Sequence, residues 1–409
     1  MSYSYRDGVL HAEEVPLDEL ARRFGTPCYV YSRAAIESAY GEFARALGER
    51  KSLICYSVKA NSNLAVLALL ARLGAGFDIV SGGELARVLT AGGDPAKTLF
   101  SGVGKSEHEI QFALEKGIGC VNVESEAELD RVDQVARRIG RRAPVALRVN
   151  PDIDPKTHPY ISTGLRENKF GVAHADAERL YRRAAGLKGI EVVGIGCHIG
   201  SLLTEAGPFV AAAERLAATV ERLEKLGIQL KHIDVGGGIG IRYRDEAPEP
   251  VAAFVAGALA ALRARRETVV FDPGRSIVGN AGVLLTRVEY VKPGFLIVDA
   301  AMNDLIRPAL YGAWHEVRTV RESAPGDTVY DIVGPVCESA DFLAKGRRLA
   351  AAEGDVLAVL SAGAYGMSMS SNYNSRPRAA EVLVDRSSAH LVRRRESIEE
   401  LIAHERIPA

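Results

Sequence analysis

Between about residue 53 and residue 275 the chain repeats one unit eight times: a short β-rich run, a polar loop and an amphipathic helix. Eight consecutive β/α units favour a closed parallel barrel of the TIM type, (β/α)8, over an open doubly wound sheet. The fold class predicted is therefore α/β. The predicted strands cover residues 53–58, 77–80, 98–101, 120–123, 145–149, 192–197, 232–235 and 268–271.

The predicted helices of this region carry signals at both ends. Serine followed three residues later by glutamate is typical of a capping box, and it occurs at Ser81/Glu84, Ser106/Glu109 and Ser125/Glu128. Glycines follow several helices where a left-handed C-cap is expected, at positions 74, 117, 140 and 227. The helices are predicted over 63–73, 81–89, 106–115, 125–139 and 209–226.

After Arg275 the β/α repeat gives way to strand patterns separated by turns, over 283–291, 295–299, 315–320, 328–333 and 356–360. The first residues behave alike, with β-rich runs at 4–6, 9–11 and 28–31. We predict a barrel over residues 35–275 and a second, β-rich domain, a β-barrel or sandwich, built from residues 1–34 together with 276–409. The tail after about Val384 is interpreted as a solvated surface helix.

The composition excludes several classes of function. A net charge of −1 and an isoelectric point near 6.8 give no reason to expect nucleic acid or an anionic membrane as a partner. The N-terminus lacks the apolar core of a signal peptide, and the longest apolar run, 251–262, is shorter than the roughly 18 residues of a membrane span. The five cysteines are scattered and not spaced as metal ligands, so we expect no metal and reduced thiols in the cytoplasm.

Lys59 closes the first predicted barrel strand, at the end where barrel enzymes carry their chemistry. Burial at such a position lowers the pKa of a lysine. A neutral amine is a nucleophile toward aldehydes, so this position suits a Schiff base with pyridoxal phosphate. The alternative is a strand-end lysine that pairs with a carboxylate.

The other predicted strands also end in polar or glycine-rich residues. These are Asp78 with Ser81, Ser101, Asn122 with Glu124, Arg148, His198, Gly236 with Gly237 and Gly238, and Asp272 with Gly274 and Arg275. A triple glycine lets backbone N–H groups approach a phosphate, although a tight turn explains it equally well. The His198 ring can stack on a pyridine ring, or His198 can be an ordinary core residue. The Asp272 carboxylate can hold the proton of a pyridine nitrogen, or it can pair with Arg275.

A long polar stretch, residues 150–173, separates the fifth predicted strand from its helix. It contains the segments 158–164 and 168–171. Long loops at the carboxyl face of a barrel are more often functional than idle, so this stretch is a candidate part of the site.

The chain strongly resembles the pyridoxal-phosphate-dependent decarboxylases of the alanine-racemase-like barrel fold. Six segments together carry this resemblance: 56–61, 198–201, 236–238, 272–276, 337–341 and 363–366. The resemblance covers about residues 25–385. Within that family it is closest to the members that act on diaminopimelate, through 158–164, 168–171 and 305–311. It implies pyridoxal 5'-phosphate as cofactor, meso-2,6-diaminopimelate as substrate, L-lysine and carbon dioxide as products, and a homodimer with shared active sites.

The same resemblance implies a role for individual residues. Lys59 would be the Schiff-base lysine, His198 would stack on the ring, and Cys337 would be the catalytic thiol supplied by the other subunit. Cofactor contacts are implied for Asp78, Arg148, Ser201, Gly236, Gly237, Gly238, Asp272, Gly274, Arg275 and Tyr365. Substrate contacts are implied for Arg275, Arg307, Tyr311, Glu338 and Tyr365.

One position departs from the family, which usually has glutamate where this chain has Asp272. Aspartate is one methylene shorter, so the ring would have to lie closer or a water molecule would have to bridge. The role in holding the ring proton is kept as an expectation.

The charges of the substrate guide the choice among related functions. The far end of diaminopimelate carries an ammonium and a carboxylate, which Glu338 and Arg307 would complement. Ornithine has no distal carboxylate. A thiol is mostly protonated at neutral pH, so Cys337 suits a proton donor, or else a packed, inert thiol. Decarboxylation of another basic amino acid, racemisation and a non-catalytic cofactor-binding role stay open as alternatives.

Overall fold

The computed structural model describes residues 3–153, 169–323 and 326–408. It divides into two compact units. One comprises Tyr40–Ile241 and Ala247–Ser276, and the other comprises Met1–Ala39, Arg242–Glu246 and Ile277–Ala409. The predicted site segment 158–164 and residue Asn168 lie outside the described residues.

The chain begins with a small antiparallel sheet and two helices. Strands β1 to β3 pair in sequence order, and β4 belongs to a different sheet. The elements are β1 (Tyr3–Arg6), β2 (Val9–Ala12), β3 (Val15–Pro16), α1 (Leu17–Phe24), β4 (Cys28–Ser32) and α2 (Arg33–Leu47).

Eight parallel strands form the closed barrel of the first unit. Their order is β5-β6-β7-β8-β9-β11-β12-β13, and β13 pairs with β5 while β8 pairs with β9, so the sheet closes on itself. The short β10 adds to β9. The strands are β5 (Ser52–Ser57), β6 (Gly76–Ile79), β7 (Thr98–Phe100), β8 (Cys120–Val123), β9 (Ala143–Asn150), β10 (Val172–Ala173), β11 (Ile190–Gly196), β12 (His232–Asp234) and β13 (Thr268–Phe271). The predicted closed parallel barrel is confirmed, with every strand end within two residues of its predicted position.

Helices connect these strands: α3 (Leu64–Arg72), α4 (Gly82–Thr90), α5 (Glu107–Glu115), α6 (Glu126–Arg138), α7 (Ala177–Gly186), α8 (Gly207–Lys225) and α9 (Val251–Ala261). The capping box of α5 is complete. In α4 and α6 the serine accepts the predicted N–H, but the glutamate reaches back one residue further, to the N–H of Val80 and of Glu124. The four predicted capping glycines have positive φ. Among residues 3–153, 169–323 and 326–408, no helix has the length and apolarity needed to cross a membrane.

The remaining elements build a larger sheet in the second unit. Strand β14 pairs with β15, β19 and β4, and β4 also pairs in parallel with β20. The predicted joining of the N-terminal segment to the C-terminal β-rich part is therefore confirmed. The elements are α10 (Arg275–Val278), β14 (Gly282–Lys292), β15 (Phe295–Val298), α11 (Arg307–Tyr311), β16 (Val317–Thr319), β17 (Val329–Val333), β18 (Phe342–Arg348), β19 (Val356–Val359), β20 (Ala380–Asp385), β21 (Ser388–Arg393) and α12 (Ile398–Ile402).

The interpretation of the tail as a surface helix is wrong for most of its length. Residues Ser388–Arg393 form strand β21, which pairs antiparallel with β20. Only Ile398–Ile402 is helical. Strand β20 buries Val382 and Val384 in the core of this unit and pairs with β4 along one edge, so its other backbone edge is available to the tail. The pairing partner, rather than the local charge pattern, determines the structure here.

Candidate active site

A cavity of about 200 Å³ lies at the carboxyl ends of the barrel strands. Seven of the strand-end residues that the sequence singled out line it: Lys59, Asp78, Ser101, Asn122, Arg148, His198 and Asp272. They come from seven different strand ends, and parallel strands bring such ends to one face of a barrel.

Lys59 lies in a single 3-10 turn, Val58–Ala60, directly after β5. Its Nζ is 3.1 Å from Oδ2 of Asp78. The lysine side chain is 36% exposed, whereas that of Asp78 is 2% exposed. The sequence predicted a buried Lys59, but its side chain is partly exposed. It forms an ion pair with Asp78 and reaches the cavity. The predicted alternative of a carboxylate partner is also observed, and the two descriptions are compatible.

Asp78 is held as an anion by its neighbours. Although burial opposes ionisation, the Lys59 ammonium and the hydroxyl of Ser101 hold the pKa of Asp78 below its usual value. Ser101 donates to Oδ1 of Asp78 at 2.5 Å, and the side-chain amide of Asn122 donates to Ser101 at 3.0 Å. This chain of hydrogen bonds fixes the carboxylate that faces the lysine.

Arg148 of β9 is fixed by a buried carboxylate and an aromatic ring. Its Nη1 is 3.2 Å from Oε1 of Glu124, and its guanidinium lies 4.9 Å from the ring centroid of Phe170. Glu124 also accepts the N–H groups of Gly102 and Gly171, at 2.8 and 3.0 Å. Glu124 thus ties three loops of the cavity together. The sequence placed Glu124 at a strand end but did not assign it this role.

Asp272 follows β13 and is almost completely buried. Its Oδ1 accepts no hydrogen bond from any residue that the structure describes, and it lies 3.6 Å from Nδ1 of His198. A Cβ added to Gly237 would lie 2.5 Å from this oxygen. Gly237 therefore leaves room for the carboxylate of Asp272. This is the reason for a glycine at the second position of the triple glycine.

The other two glycines have a conformational reason. Gly236 and Gly238 have φ of +83° and +84°, and a Cβ on Gly238 would lie 2.0 Å from the carbonyl oxygen of Gly200. Ser201 belongs to the same region, because Nη2 of Arg275 donates to its Oγ at 3.4 Å. A Cβ on Gly274 would lie 3.0 Å from the Cβ atoms of Ser57 and Ala60, which flank Lys59. The turn after β12 is thus packed tightly against the segments on either side.

Asp234, at the end of β12, is a member of the cavity wall that the sequence did not single out. Burial, reinforced by the nearby charge of Asp272, raises the pKa of Asp234 well above its usual value. Its Oδ1 accepts the N–H of Gly236 at 2.9 Å. The available signal was its position near the carboxyl end of the predicted strand 232–235.

The residues of the cavity fit pyridoxal phosphate. Lys59 offers an amine for the aldehyde, and the buried Oδ1 of Asp272 offers an acceptor for a protonated ring nitrogen. Glycine-lined backbone beside Ser201 and Arg275 suits a phosphate. The donor set matches the needs of this cofactor.

The predicted substrate residues Arg307, Tyr311, Glu338 and Tyr365, and the thiol Cys337, belong to the second unit. Arg307, the first residue of α11, is 3% exposed, and its Nη1 donates to Nε2 of His315 at 2.8 Å. Tyr311 ends α11 and is half-buried. Tyr365 has φ of +57°, a conformation that is rare for an aromatic residue and typical of functional sites.

Cys337 and Glu338 lie together in an exposed loop. The N–H of Cys337 donates to the side-chain oxygen of Asn374 at 3.1 Å. Glu338 accepts a hydrogen bond from the hydroxyl of Tyr373, which raises the pKa of that tyrosine. Cys28, Cys55, Cys120 and Cys197 are buried, so Cys337 is the accessible thiol of the chain.

Comparison with known proteins agrees with this geometry. The family model for the pyridoxal binding domain of the pyridoxal-dependent decarboxylases matches residues 33–279. The barrel unit is therefore that of a pyridoxal-dependent decarboxylase.

The diaminopimelate decarboxylase of Pseudomonas aeruginosa is 60% identical over 99% of this chain and 98% of its own length. The crystal structure of diaminopimelate decarboxylase from Helicobacter pylori complexed with L-lysine has a TM-score of 0.92 and 44% identity, covering 95% of this chain and 99% of that one. The M. jannaschii diaminopimelate decarboxylase in co-complex with L-lysine has a TM-score of 0.95 and 36% identity, covering 100% and 98%. The chain belongs to the diaminopimelate decarboxylase family.

Proposed function

We propose that this chain catalyses the pyridoxal-phosphate-dependent decarboxylation of meso-2,6-diaminopimelate to L-lysine and carbon dioxide, the last step of lysine biosynthesis. The observation that carries the proposal is the ion pair of Lys59 with Asp78 in a cavity that also contains the buried carboxylate of Asp272, within a chain of this family. When bound, pyridoxal phosphate supplies an electron sink for the electron pair that is left after the carbon–carboxylate bond breaks.

Lys59 would hold the cofactor through its Nζ, and its ion pair with Asp78 prepares it for this role. Asp78 remains ionised and orients the amine toward the cavity, from which the substrate amine would arrive. Asp272 would keep the proton on the ring nitrogen, because its Oδ1 is buried and accepts no hydrogen bond from the described residues. His198 would cover one face of the ring. The phosphate would be held by Ser201, Gly236, Gly237, Gly238, Gly274 and Arg275, and Arg148 and Tyr365 would complete the surroundings of the cofactor.

The substrate would be recognised through the two charged groups at its distal end. Arg307 binds the distal carboxylate, with Arg275 and Tyr311 assisting, and Glu338 binds the distal ammonium. The support for Arg307 is that its guanidinium is buried and held in place, as a specificity residue requires. A substrate such as ornithine lacks the group that this arginine would bind.

Cys337 donates a proton from Sγ to the carbon that lost the carboxylate, and water then returns a proton to the sulfur. We propose that this thiol acts in the active site of a second copy, in a homodimer. The support is that Cys337, Glu338 and Tyr373 are exposed together in one subunit, where a partner can cover them. Five free cysteines also support a location in the cytoplasm.

The test is release of carbon dioxide from meso-diaminopimelate by the purified protein, with and without added pyridoxal phosphate. We expect cofactor-dependent release from this acid and none from lysine, ornithine or arginine. Faster release from one of those three would identify the rival decarboxylase. Inversion of configuration at the α-carbon without release of carbon dioxide would identify a racemase. Binding of the cofactor without either reaction would identify a non-catalytic homologue.

A further inference from the structure

Arg307 is held from two directions by neutral groups. Its Nη1 lies 2.8 Å from Nε2 of His315, and its guanidinium lies 4.6 Å from the ring centroid of Tyr243. All three residues belong to the same compact unit. His315 is completely buried, and Arg307 is 3% exposed, so this arrangement is shielded from water.

The direction of the hydrogen bonds fixes the chemical state of His315. A guanidinium can only donate, so Nε2 of His315 must be an unprotonated acceptor. Nδ1 lies 2.9 Å from the carbonyl oxygen of Leu360, which can only accept, so Nδ1 must carry the proton. His315 is therefore a neutral imidazole in a single tautomer. A protonated imidazole would place an N–H against the N–H of Arg307.

The imidazole itself cannot turn away. The ring of Tyr243 packs edge-on against it, with centroids 5.3 Å apart and planes at 80°. The backbone is held as well, because Nη2 of Arg347 donates to the carbonyl oxygen of His315 at 3.0 Å. Leu360, Tyr243 and Arg347 thus hold His315, and His315 with Tyr243 holds Arg307.

This arrangement determines where the arginine points. A guanidinium carries five N–H donors in one rigid plane, so fixing one donor and one face fixes the direction of the others. Bidentate binding of a carboxylate requires such a fixed plane. We propose that His315 is a positioning residue that orients Arg307 toward the distal carboxylate of the substrate and so determines specificity for that group. This inference rests on the proposed role of Arg307.

Two substitutions at position 315 separate the two hydrogen bonds. In His315→Gln the amide oxygen can take the place of Nε2 and accept from Arg307. In His315→Asn the amide N–H₂ can take the place of Nδ1 and donate to Leu360, but the acceptor for Arg307 is lost. The measured quantities are kcat, KM for meso-diaminopimelate, and the inhibition constants of L-lysine, which keeps the distal carboxylate, and of cadaverine, which has none.

We expect His315→Asn to raise KM and the inhibition constant of L-lysine by about tenfold or more, the effect of losing a hydrogen bond to a charged group. Its kcat and its inhibition by cadaverine should change by less than about threefold, since the chemistry and the remaining contacts are kept. His315→Gln should stay within about threefold of the wild type throughout. An unchanged inhibition constant of L-lysine in His315→Asn would overturn the proposal. It would also be overturned if, in both variants, the inhibition constants of cadaverine and L-lysine rose by the same factor.

Controls separate this inference from the proposed function and from misfolding. Arg307→Ala must itself weaken inhibition by L-lysine. If it does not, the substrate role of Arg307 fails. If it does while His315→Asn has no effect, only the positioning role fails. Trp314, the single tryptophan of the chain, packs 4.4 Å from the guanidinium of Arg347, and its fluorescence reports whether this region is folded in each variant.

The wild-type holoenzyme provides a measurement that needs no variant at position 315. Histidine-selective ¹⁵N labelling distinguishes the two neutral tautomers and the charged imidazole by their nitrogen shifts. The imidazole whose signals change in Arg307→Gln is expected to be neutral with its proton on Nδ1. A proton on Nε2, or a charged ring at neutral pH, would contradict the arrangement even if both His315 variants failed to fold.

Discussion

The carboxylate of Asp272 occupies the space that a side chain at Gly237 would need, since a Cβ there would lie 2.5 Å from Oδ1. The turn after β12 and the acid after β13 are therefore matched to each other. The family resemblance predicts glutamate at this position, so Asp272 is the natural place to begin testing the site.

Asp272→Asn should lose most of kcat, because an amide cannot hold the ring proton as a carboxylate does. We expect a loss of about 100-fold or more, equivalent to about 2.7 kcal/mol in the barrier. Asp272→Glu should be tolerated, since it restores the residue usual in the family. Steady-state kinetics at saturating cofactor measures both. Equal rates for the asparagine variant and the wild type would remove the proposed role of Asp272.

Lys59→Ala should abolish the visible absorbance of the bound cofactor, because the amine that binds the aldehyde is gone. Borohydride should no longer fix the cofactor to the protein. Lys116→Ala, which changes an exposed lysine on the outside of the barrel unit, is the matched control and should keep both signals. Covalent fixation that persists in Lys59→Ala would point to another lysine.

Cys337→Ala should lower kcat by about 10²–10⁴-fold, the usual contribution of a positioned acid, with little change in KM. An alkylating reagent should modify Cys337 first, because the other four cysteines are buried. Inactivation should follow the labelling of this residue and slow down when L-lysine is present. Full activity of the alkylated protein would exclude the thiol from the reaction.

Mixing Lys59→Ala with Cys337→Ala should restore activity if the sites are shared between subunits. A randomly assembled mixture of two inactive variants then contains about one quarter of the wild-type number of intact sites, all in mixed dimers. If each subunit used its own Cys337, no intact site would form and the mixture would stay inactive. Size-exclusion chromatography of the mixture provides the control for assembly.

Glu84 provides a prediction about pH. Burial raises the pKa of Glu84 from its ordinary 4.5 to about 7, although its Oε2 accepts the N–H of Val80 at 2.7 Å. Between these two values the folded state binds more protons than the unfolded state, so the free energy of unfolding should fall as pH rises from 4.5 to about 7. Glu84→Gln keeps the acceptor and should remove this decline, by about 1–3 kcal/mol at neutral pH. Denaturant unfolding at several pH values measures it, and identical pH slopes for both proteins would refute the assignment.

Lys105→Met should destabilise the barrel unit by about 3–5 kcal/mol, the usual result of breaking a buried ion pair. Nζ of Lys105 donates to Glu128 and to the carbonyl oxygens of Gly102 and Asn122, at 2.7, 2.6 and 2.7 Å. Lys225→Met removes an exposed pair with Glu221 and should cost less than about 0.5 kcal/mol. Equal melting temperatures for the two variants would show that the buried pair is not important for stability.

The barrel could be predicted because its signals are local. Each strand, cap and glycine is contained in a few consecutive residues, and the carboxyl ends of parallel strands meet wherever the barrel closes. The sequence alone therefore predicts that Lys59, Asp78, Arg148, His198 and Asp272 lie at one face of the barrel, where they line the cavity.

Features that depend on distant partners could not be predicted in this way. The tail looked helical by its charges, yet the free edge of β20 makes it a strand. The contact of His315 with Arg307 and Tyr243 joins three separated positions, and nothing in the sequence around His315 distinguishes it from an ordinary core histidine. The exposure of Lys59 likewise depends on the neighbouring strand ends rather than on its own segment.

Strand β4 pairs with β14 and β20, whose residues lie some 250 to 350 positions further along the chain. During synthesis on the ribosome, this strand emerges first but must wait for almost the whole polypeptide before its hydrogen-bonding neighbours exist. The barrel segments are complete by then, so we expect the barrel to form early and the β-rich unit last. Nascent chains that stall before residue 380 would carry an unfinished sheet edge and depend on chaperones.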